Sequence, residues 1–159
     1  ESDRFIILFT KNHGKIEVVG KGVRRITSRR APLVELLNLV NFQAVKSSRN
    51  FVLTEVELLN SFQENKRDLA VISTSFFVCE LIDKLCPYNQ KHEDVFNLVE
   101  QTMEILNREP YEQVLYEFQI QLLSMLGFWD YKRKFRDQQD LRNFIENIIE
   151  RKIKTKIYA

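Results

Sequence analysis

The hydrophobic pattern of this chain changes period once, near Phe62, and this change constrains the fold more than any other feature. Before it, apolar and β-branched residues form four short runs typical of strands: RFIILFT (4–10), KIEVVGKG (15–22), LLNLVNFQAVKS (36–47) and FVLTEVELLN (51–60). The turn KNHGK, built around Gly14, joins the first two runs into a hairpin. In the last run, period two predicts one shared face for Val52, Thr54, Val56 and Leu58.

After Phe62 the apolar residues recur with the period of a helix. Helices are predicted over 64–86, 92–109, 110–128 and 139–153. Pro87 ends the first of these helices, and Pro110 starts the third. The sequence therefore predicts an α+β protein with a small β domain of barrel or sandwich type (residues 1–62) followed by an α-helical domain (residues 63–159).

Charge is distributed unevenly along the chain, although the formal net charge is only +2. Residues 1–30 contain eight Lys or Arg against three Asp or Glu, and residues 131–159 contain nine against four. The stretch 63–130 is acidic, with twelve Asp or Glu against five Lys or Arg. Two basic ends around an acidic middle point to an anionic partner for the ends.

The first basic end contains the run GKGVRRITSRR (20–30), which includes no acid. Its cations are Lys21, Arg24, Arg25, Arg29 and Arg30. On an excursion between the second and third strands, such a run can follow a phosphate backbone, because each contact releases a condensed counterion. Charge alone equally allows a solvated surface loop, so both interpretations stay open here.

The second basic cluster is YKRKFR (131–136), which follows LGFWD. Its candidate residues, for a second DNA surface or for a site that takes an acidic peptide with an apolar end, are Trp129, Lys132, Arg133, Lys134 and Arg136. Alternatively, the cations favour the dipole of the preceding helix and the aromatic rings seal the helical domain. The last basic run, RKIKTK (151–156), is expected to be a solvated tail.

Enzyme chemistry has little support in the sequence. His13 lies in a turn and His92 at a helix start, and the chain has no P-loop, GxGxxG, GxSxG or CxxC motif. Cys79 and Cys86 lie about two turns apart on one predicted helix, roughly 10 Å by helix rise, which is too far for a disulfide. No apolar run approaches the ~18–20 residues that span a bilayer. We therefore expect a non-enzymatic protein with buried thiols, no metal, no cofactor and no membrane contact.

Several short motifs occur in a defined order along the chain. They are ESDR (1–4), Thr10, HGK (13–15), KGVRR (21–25), SR (28–29), TEVELLNSF (54–62) and LLSMLGF (122–128). Their order and spacing resemble those of the bacterial RecO family of recombination mediators, and the resemblance covers most of the chain. It implies an N-terminal OB-fold-like β-barrel followed by an α-helical bundle.

The resemblance also implies partners and a location. Members of that family bind single- and double-stranded DNA, anneal complementary strands and work with RecR to load RecA onto DNA coated by single-strand-binding protein. They also dock the acidic C-terminal tail of that coating protein, in the bacterial cytoplasm at the nucleoid. The positions that match the family's basic run are Lys21, Arg24, Arg25 and Arg29. Lys15 and Arg30 complete the candidate DNA-binding set, Arg30 on charge alone.

Two departures from the family pattern are visible. Many members carry a cysteine zinc site after the LGF segment, whereas WDYKRKFRD (129–137) contains no Cys, so no zinc is expected. An OB barrel has about five strands, and only four are predicted here. The family's first strand precedes the ESDR motif, so we expect either an open barrel or a further strand upstream of Glu1.

The leading hypothesis is a DNA-binding mediator of DNA repair and recombination in the RecFOR pathway, acting by electrostatic capture and strand annealing. The rival hypothesis is a protein-interaction adaptor whose basic ends receive an acidic peptide. A hydrolase that uses clustered carboxylates is a third, weaker hypothesis.

Overall fold

Strands and helices occupy separate halves of the chain in the structure, a computed structural model that describes residues 3–21 and 35–158. The strands in these residues are β1 (Arg4–Thr10), β2 (Gly14–Gly20), β3 (Leu39–Lys46) and β4 (Phe51–Asn60). A 3₁₀ turn (Gln63–Lys66) leads into α1 (Leu69–Leu85), α2 (Glu93–Ile105), α3 (Tyr111–Met125) and α4 (Gln138–Ile149). The predicted α+β class is confirmed.

The strands form one mixed sheet in the order β1-β2-β4-β3. β1 and β2 are an antiparallel hairpin, as are β3 and β4. A short parallel pairing of β2 with β4, at Val18–Phe51 and Val19–Val52, joins the two hairpins. Within the described residues the sheet is open, and β1 and β3 are its outer strands.

A β-bulge in β4 overturns one prediction about this sheet. Ala44 pairs with Leu53 and Gln43 pairs with Glu55, so Thr54 is an extra residue without a partner of its own in the register. The Thr54 hydroxyl donates a hydrogen bond to the Gln43 carbonyl (3.1 Å). Because the bulge shifts the alternation by one residue, Leu53 and Val56 lie in the same apolar cluster. The predicted shared face of Val52, Thr54, Val56 and Leu58 is therefore wrong.

The helices enclose the main hydrophobic core, in which α1 is central. Asp68 caps α1, since its carboxylate accepts hydrogen bonds from the backbone N–H groups of Ala70 and Val71. The largest fully buried side chains of this core belong to α1, α3 and α4 and include Phe77, Leu81, Phe118, Leu122, Leu141 and Ile145. Helix α4 ends four residues earlier than predicted, because Glu150 adopts a left-handed conformation (φ 56°).

The β1–β2 hairpin docks on the helical core through its turn. Phe9 of β1 packs against Phe96 of α2, with ring centroids 6.1 Å apart. The backbone N–H of Asn89 donates to the Lys15 carbonyl (2.8 Å). Gly14, which has a φ of +69°, lies so close to the backbone of Gln90 that no side chain would fit there. This junction fixes the position of the sheet relative to α1 and α2.

Candidate nucleic-acid interface

The first basic segment leaves the sheet at the end of β2. Gly20, the last residue of β2, is paired with Arg4 at the start of β1, and Lys21 follows it directly. The Lys21 side chain is 64% exposed, and its ammonium lies 3.8 Å from the Asp3 carboxylate. The segment connects β2 with β3, as the sequence predicted. Arg24, Arg25, Arg29 and Arg30 lie outside the described residues.

Lys15, unlike Lys21, is buried. Its side chain is only 7% exposed, and its ammonium donates a hydrogen bond to the Asp83 carbonyl on α1 (2.5 Å). The Asp83 carboxylate lies 3.4 Å away, and the ammonium sits 4.2 Å from the centre of the Tyr88 ring. These contacts favour a structural role for Lys15 at the junction. A role for Lys15 in DNA binding stays a prediction, and the burial of its side chain does not favour that role.

The second basic cluster occupies the connection between α3 and α4. Arg133 forms an ion pair with Asp140 of α4 (3.1 Å), and Arg136 approaches the same carboxylate at 3.7 Å. Hydrogen bonding from the backbone N–H of Arg136 and the charges of the two guanidinium groups lower the pKa of Asp140. Two of the five predicted side chains therefore share one carboxylate, although the Arg136 side chain stays 87% exposed, and Lys132 and Lys134 are exposed as well.

An aromatic pocket of about 430 Å³ opens beside this cluster. The Trp129 indole N–H donates to the Arg133 carbonyl (2.8 Å), which fixes the turn, and Tyr131 packs edge-on against Trp129. The pocket is lined by Tyr116, Ile120, Trp129, Tyr131, Arg133, Lys134 and Phe135. Trp129, Arg133 and Lys134 are thus brought together, whereas Lys132 and Arg136 do not line the pocket.

The last basic run is not the solvated tail that was expected. Residues 151–158, here called the C-terminal strap, lie across α1 and α4 in an extended form. The Glu80 carboxylate accepts the backbone N–H groups of Lys154 and Thr155 (2.7 Å each) and the Thr155 hydroxyl (2.5 Å). Arg142 donates to the carbonyls of Ile153 and Thr155 (2.9 and 3.1 Å).

Two further side chains complete this clamp. The Glu146 carboxylate accepts the Ile153 N–H (2.7 Å), and the Ser73 hydroxyl accepts the Tyr158 N–H (3.1 Å). Burial raises the pKa of Glu80, but the hydrogen bonds from the strap and the charge of Lys84 outweigh it, so this pKa is lowered overall. The alternation of Ile153, Thr155 and Ile157 with lysines is the sequence pattern that could have indicated an extended, half-buried segment.

Catalytic groupings do not emerge from the described residues. Residues 3–21 and 35–158 contain no group of three or more His, Cys, Asp or Glu that could hold a metal ion. Burial raises the pKa of both Cys79 and Cys86 to about 11, so these thiols stay protonated at neutral pH. In the same part of the chain, no helix has the length and apolar character to cross a bilayer.

The fold and its surfaces define an α+β protein in which a small mixed sheet precedes a helical domain and exposed cations occur on both. The family model of the recombination protein O N-terminal domain matches residues 1–62, and that of the recombination protein O C-terminal domain matches residues 66–129. The chain belongs to the RecO family. Both matches end before α4 and the C-terminal strap.

Individual relatives support this assignment. The chain is 33% identical over 131 residues to a protein of Symbiobacterium thermophilum named DNA repair protein RecO, covering 80% of this chain and 51% of the relative. Proteins of the same name from Listeria monocytogenes serotype 4b and Clostridium acetobutylicum are each 28% identical over 130 residues. These alignments cover 81% and 80% of this chain and 51% and 53% of the relatives. The chain thus spans about half the length of the curated relatives it matches.

Proposed function

We propose that this chain is the DNA-binding part of a non-catalytic recombination mediator that acts in DNA repair. The observation that carries the proposal is the match of two successive RecO domains to a chain whose sheet carries a five-cation segment. Annealing of complementary strands and cooperation with RecR and RecA on DNA coated by single-strand-binding protein are the activities that this membership supports.

The proposed mechanism is electrostatic capture. The run of residues 21–30 contains cations and no acid, and each phosphate that they neutralise releases a condensed counterion. Two DNA strands repel one another, so a protein that brings them together must screen both. Lys21, at the end of β2, supports this role because its side chain is largely exposed.

The test is a salt titration of DNA binding with the Arg24→Ala/Arg25→Ala variant. If both guanidinium groups contact phosphates, the slope of log K against log [salt] falls by about 1.5 for single-stranded DNA. Arg67→Ala/Arg108→Ala is the matched control, since it removes the same charge from exposed positions of the helical domain. An unchanged slope in the Arg24→Ala/Arg25→Ala variant would contradict the assignment of residues 21–30 as a DNA-binding segment.

A second function, capture of an acidic peptide, has its own supporting observation. The pocket beside Trp129 combines apolar rings with the cations Arg133 and Lys134, which suits a peptide that has carboxylates and an apolar end. The acidic C-terminal tail of single-strand-binding protein has this chemistry. Either function can hold without the other, because the pocket and residues 21–30 lie on different domains.

Calorimetric titration with a synthetic acidic peptide that ends in an apolar residue tests this second function. Lys134→Gln should weaken peptide binding several-fold, because it removes an exposed cation from the pocket lining. Lys132→Gln is the control, as Lys132 is a neighbouring exposed lysine that does not line the pocket. Equal effects of the two substitutions would contradict the site.

A further inference from the structure

We propose that the outer face of the C-terminal strap (residues 151–158) is a second binding surface for the phosphate backbone of a nucleic-acid strand. From Lys152 onward the strap alternates in burial: Ile153 is 5% exposed, and Thr155 and Ile157 are half-buried. The residues between them face outward and are Lys152, Lys154, Lys156 and Tyr158. Three lysines and an aromatic ring thus form one exposed row.

The spacing of this row suits a polyphosphate. An extended chain rises about 3.3 Å per residue, so alternate lysines are about 6.6 Å apart. One strand of a DNA duplex advances about 3.4 Å along the axis for each phosphate and also winds around that axis, so neighbouring phosphates are about twice that distance apart and successive lysines match successive phosphates.

The clamp makes the row rigid before any ligand binds. Glu80, Arg142, Glu146 and Ser73 bind the backbone of residues 153–158, and these hydrogen bonds do not use the lysine side chains. A backbone that is already ordered loses less conformational entropy when the row meets its ligand. Contacts of this kind explain why a polar, lysine-rich segment is held in an extended form.

The charges of the row are largely available. Among the described residues, the ammonium groups of Lys154 and Lys156 have no acidic group within 4 Å, and that of Lys152 lies 3.5 Å from Glu146 while its side chain is 89% exposed. Glu146 and Glu80 also accept backbone N–H groups of the strap. Tyr158, which is 54% exposed, ends the row with a ring on which a base can stack.

A nucleic acid fits the row better than an acidic peptide does. A peptide with an apolar end needs a pocket, and the aromatic pocket beside Trp129 is lined by residues 116–135 rather than by the strap. The inference rests on the proposed DNA-binding function and adds to it a contact on the helical domain, beyond the residues that the family models match. A protein with contacts on both domains can hold two strands at once.

The experiment compares full-length Lys152→Gln/Lys154→Gln/Lys156→Gln with the wild type by fluorescence anisotropy of a labelled oligonucleotide across a salt series. Because three lysines no longer neutralise phosphates in this variant, the slope of log K against log [salt] should fall by about 2 for single-stranded DNA. Lys46→Gln/Arg67→Gln/Arg108→Gln removes the same net charge elsewhere and should leave the slope near the wild-type value.

Each other outcome overturns the inference in a distinguishable way. A normal slope in the strap variant, together with a reduced slope in Arg24→Ala/Arg25→Ala, would exclude the strap as a DNA-binding surface and would leave the proposed function supported. Absence of DNA binding by the wild type would contradict both the strap surface and the proposed function. Loss of acidic-peptide binding with normal DNA binding identifies the strap as a peptide surface instead.

A second variant tests the clamp without touching the lysines. Glu80→Gln weakens the hydrogen bonds to Lys154 and Thr155 and makes the net charge one unit more positive. If the row acts because it is ordered, DNA binding weakens despite the added positive charge. Tighter binding by Glu80→Gln, with circular dichroism unchanged, would show that charge alone matters and would overturn the argument from order.

Discussion

Gly14 is the residue at which the junction between the sheet and the helices can be tested most sharply, by replacing it with Ala. Gly14 has a φ of +69°, and a Cβ there would overlap the carbonyl group of Gln90. Gly127 has a similar φ of +79°, but nothing lies within 4 Å of the Cβ that it would carry. The two glycines therefore share the backbone strain of a substitution and differ only in the crowding.

The expected cost follows from the contacts at each site. A left-handed residue with a Cβ costs about 1–2 kcal/mol, and Gly127→Ala should lose no more than that amount. At Gly14 the backbone of Gln90 must also move. This displaces the hydrogen bond from Asn89 to Lys15 and the bond from the Lys15 ammonium to the Asp83 carbonyl. A neutral bond contributes about 1 kcal/mol and a charged one about 2 kcal/mol, so Gly14→Ala should lose about 3 to 5 kcal/mol.

Urea denaturation followed by circular dichroism measures both variants, provided that the m-values agree with that of the wild type. Lys15→Met adds a double-mutant cycle: it should cost less in the Gly14→Ala background than alone, because the displaced loop no longer holds the ammonium. A difference of less than about 1 kcal/mol between Gly14→Ala and Gly127→Ala would refute the crowded junction.

Three further predictions concern the helical domain. Glu80 has a pKa below the ordinary value of 4.5, so its contribution to stability is present above that value and is lost as the pH falls through the lowered pKa. The unfolding free energies of the wild type and Glu80→Gln should therefore differ at pH 7 and converge as the pH falls below the lowered pKa, whereas a constant difference would contradict this. Asp68→Ala should cost about 1 kcal/mol through loss of the α1 cap, against little for Glu104→Ala on the exposed face of α2, and equal costs in thermal denaturation would refute the cap. With pKa values of about 11, about one in a thousand of the Cys79 and Cys86 thiols is ionised at pH 8, so a thiol reagent should react slowly until urea is added. Cys79 is partly exposed and Cys86 is buried, so rapid labelling of Cys86 in the folded protein would contradict this prediction.

Local pattern was sufficient to predict the elements whose partners are near in sequence. β1 and β4 occur where the alternating runs placed them, at Arg4–Thr10 and Phe51–Asn60. The bulge at Thr54 was not predictable, because it is defined by the register against Gln43 on another strand. The end of α4 was misplaced for a similar reason, since the apolar stripe continues through Ile153 into the strap.

The cationic residues show most clearly that local pattern predicts elements but not contacts between residues distant in sequence. Composition predicted that both ends of the chain are basic, but it could not show which cations already contact carboxylates or carbonyls of the same chain. Lys15 is held by Asp83, and the predicted tail is held by Glu80 and Ser73, which are about 75 to 85 residues away in sequence. Contacts over such separations are set by how α1 packs, and no local pattern contains them.

Sorting the cations by their contacts narrows where an anionic partner can bind. Lys15 is buried against Asp83, and Arg142 donates to backbone carbonyls of the strap, so a count of positive residues overstates the basic surface. Of the described cations in the two basic ends, the outward-facing ones include Lys21 on the sheet and the alternate lysines of the strap on the helical domain. If both bind DNA, the rigid junction at Gly14 sets the distance between two captured strands. Gly14→Ala should then impair annealing more than it impairs the binding of a single strand. Equal losses in the two assays would show that the junction has no specific role in annealing.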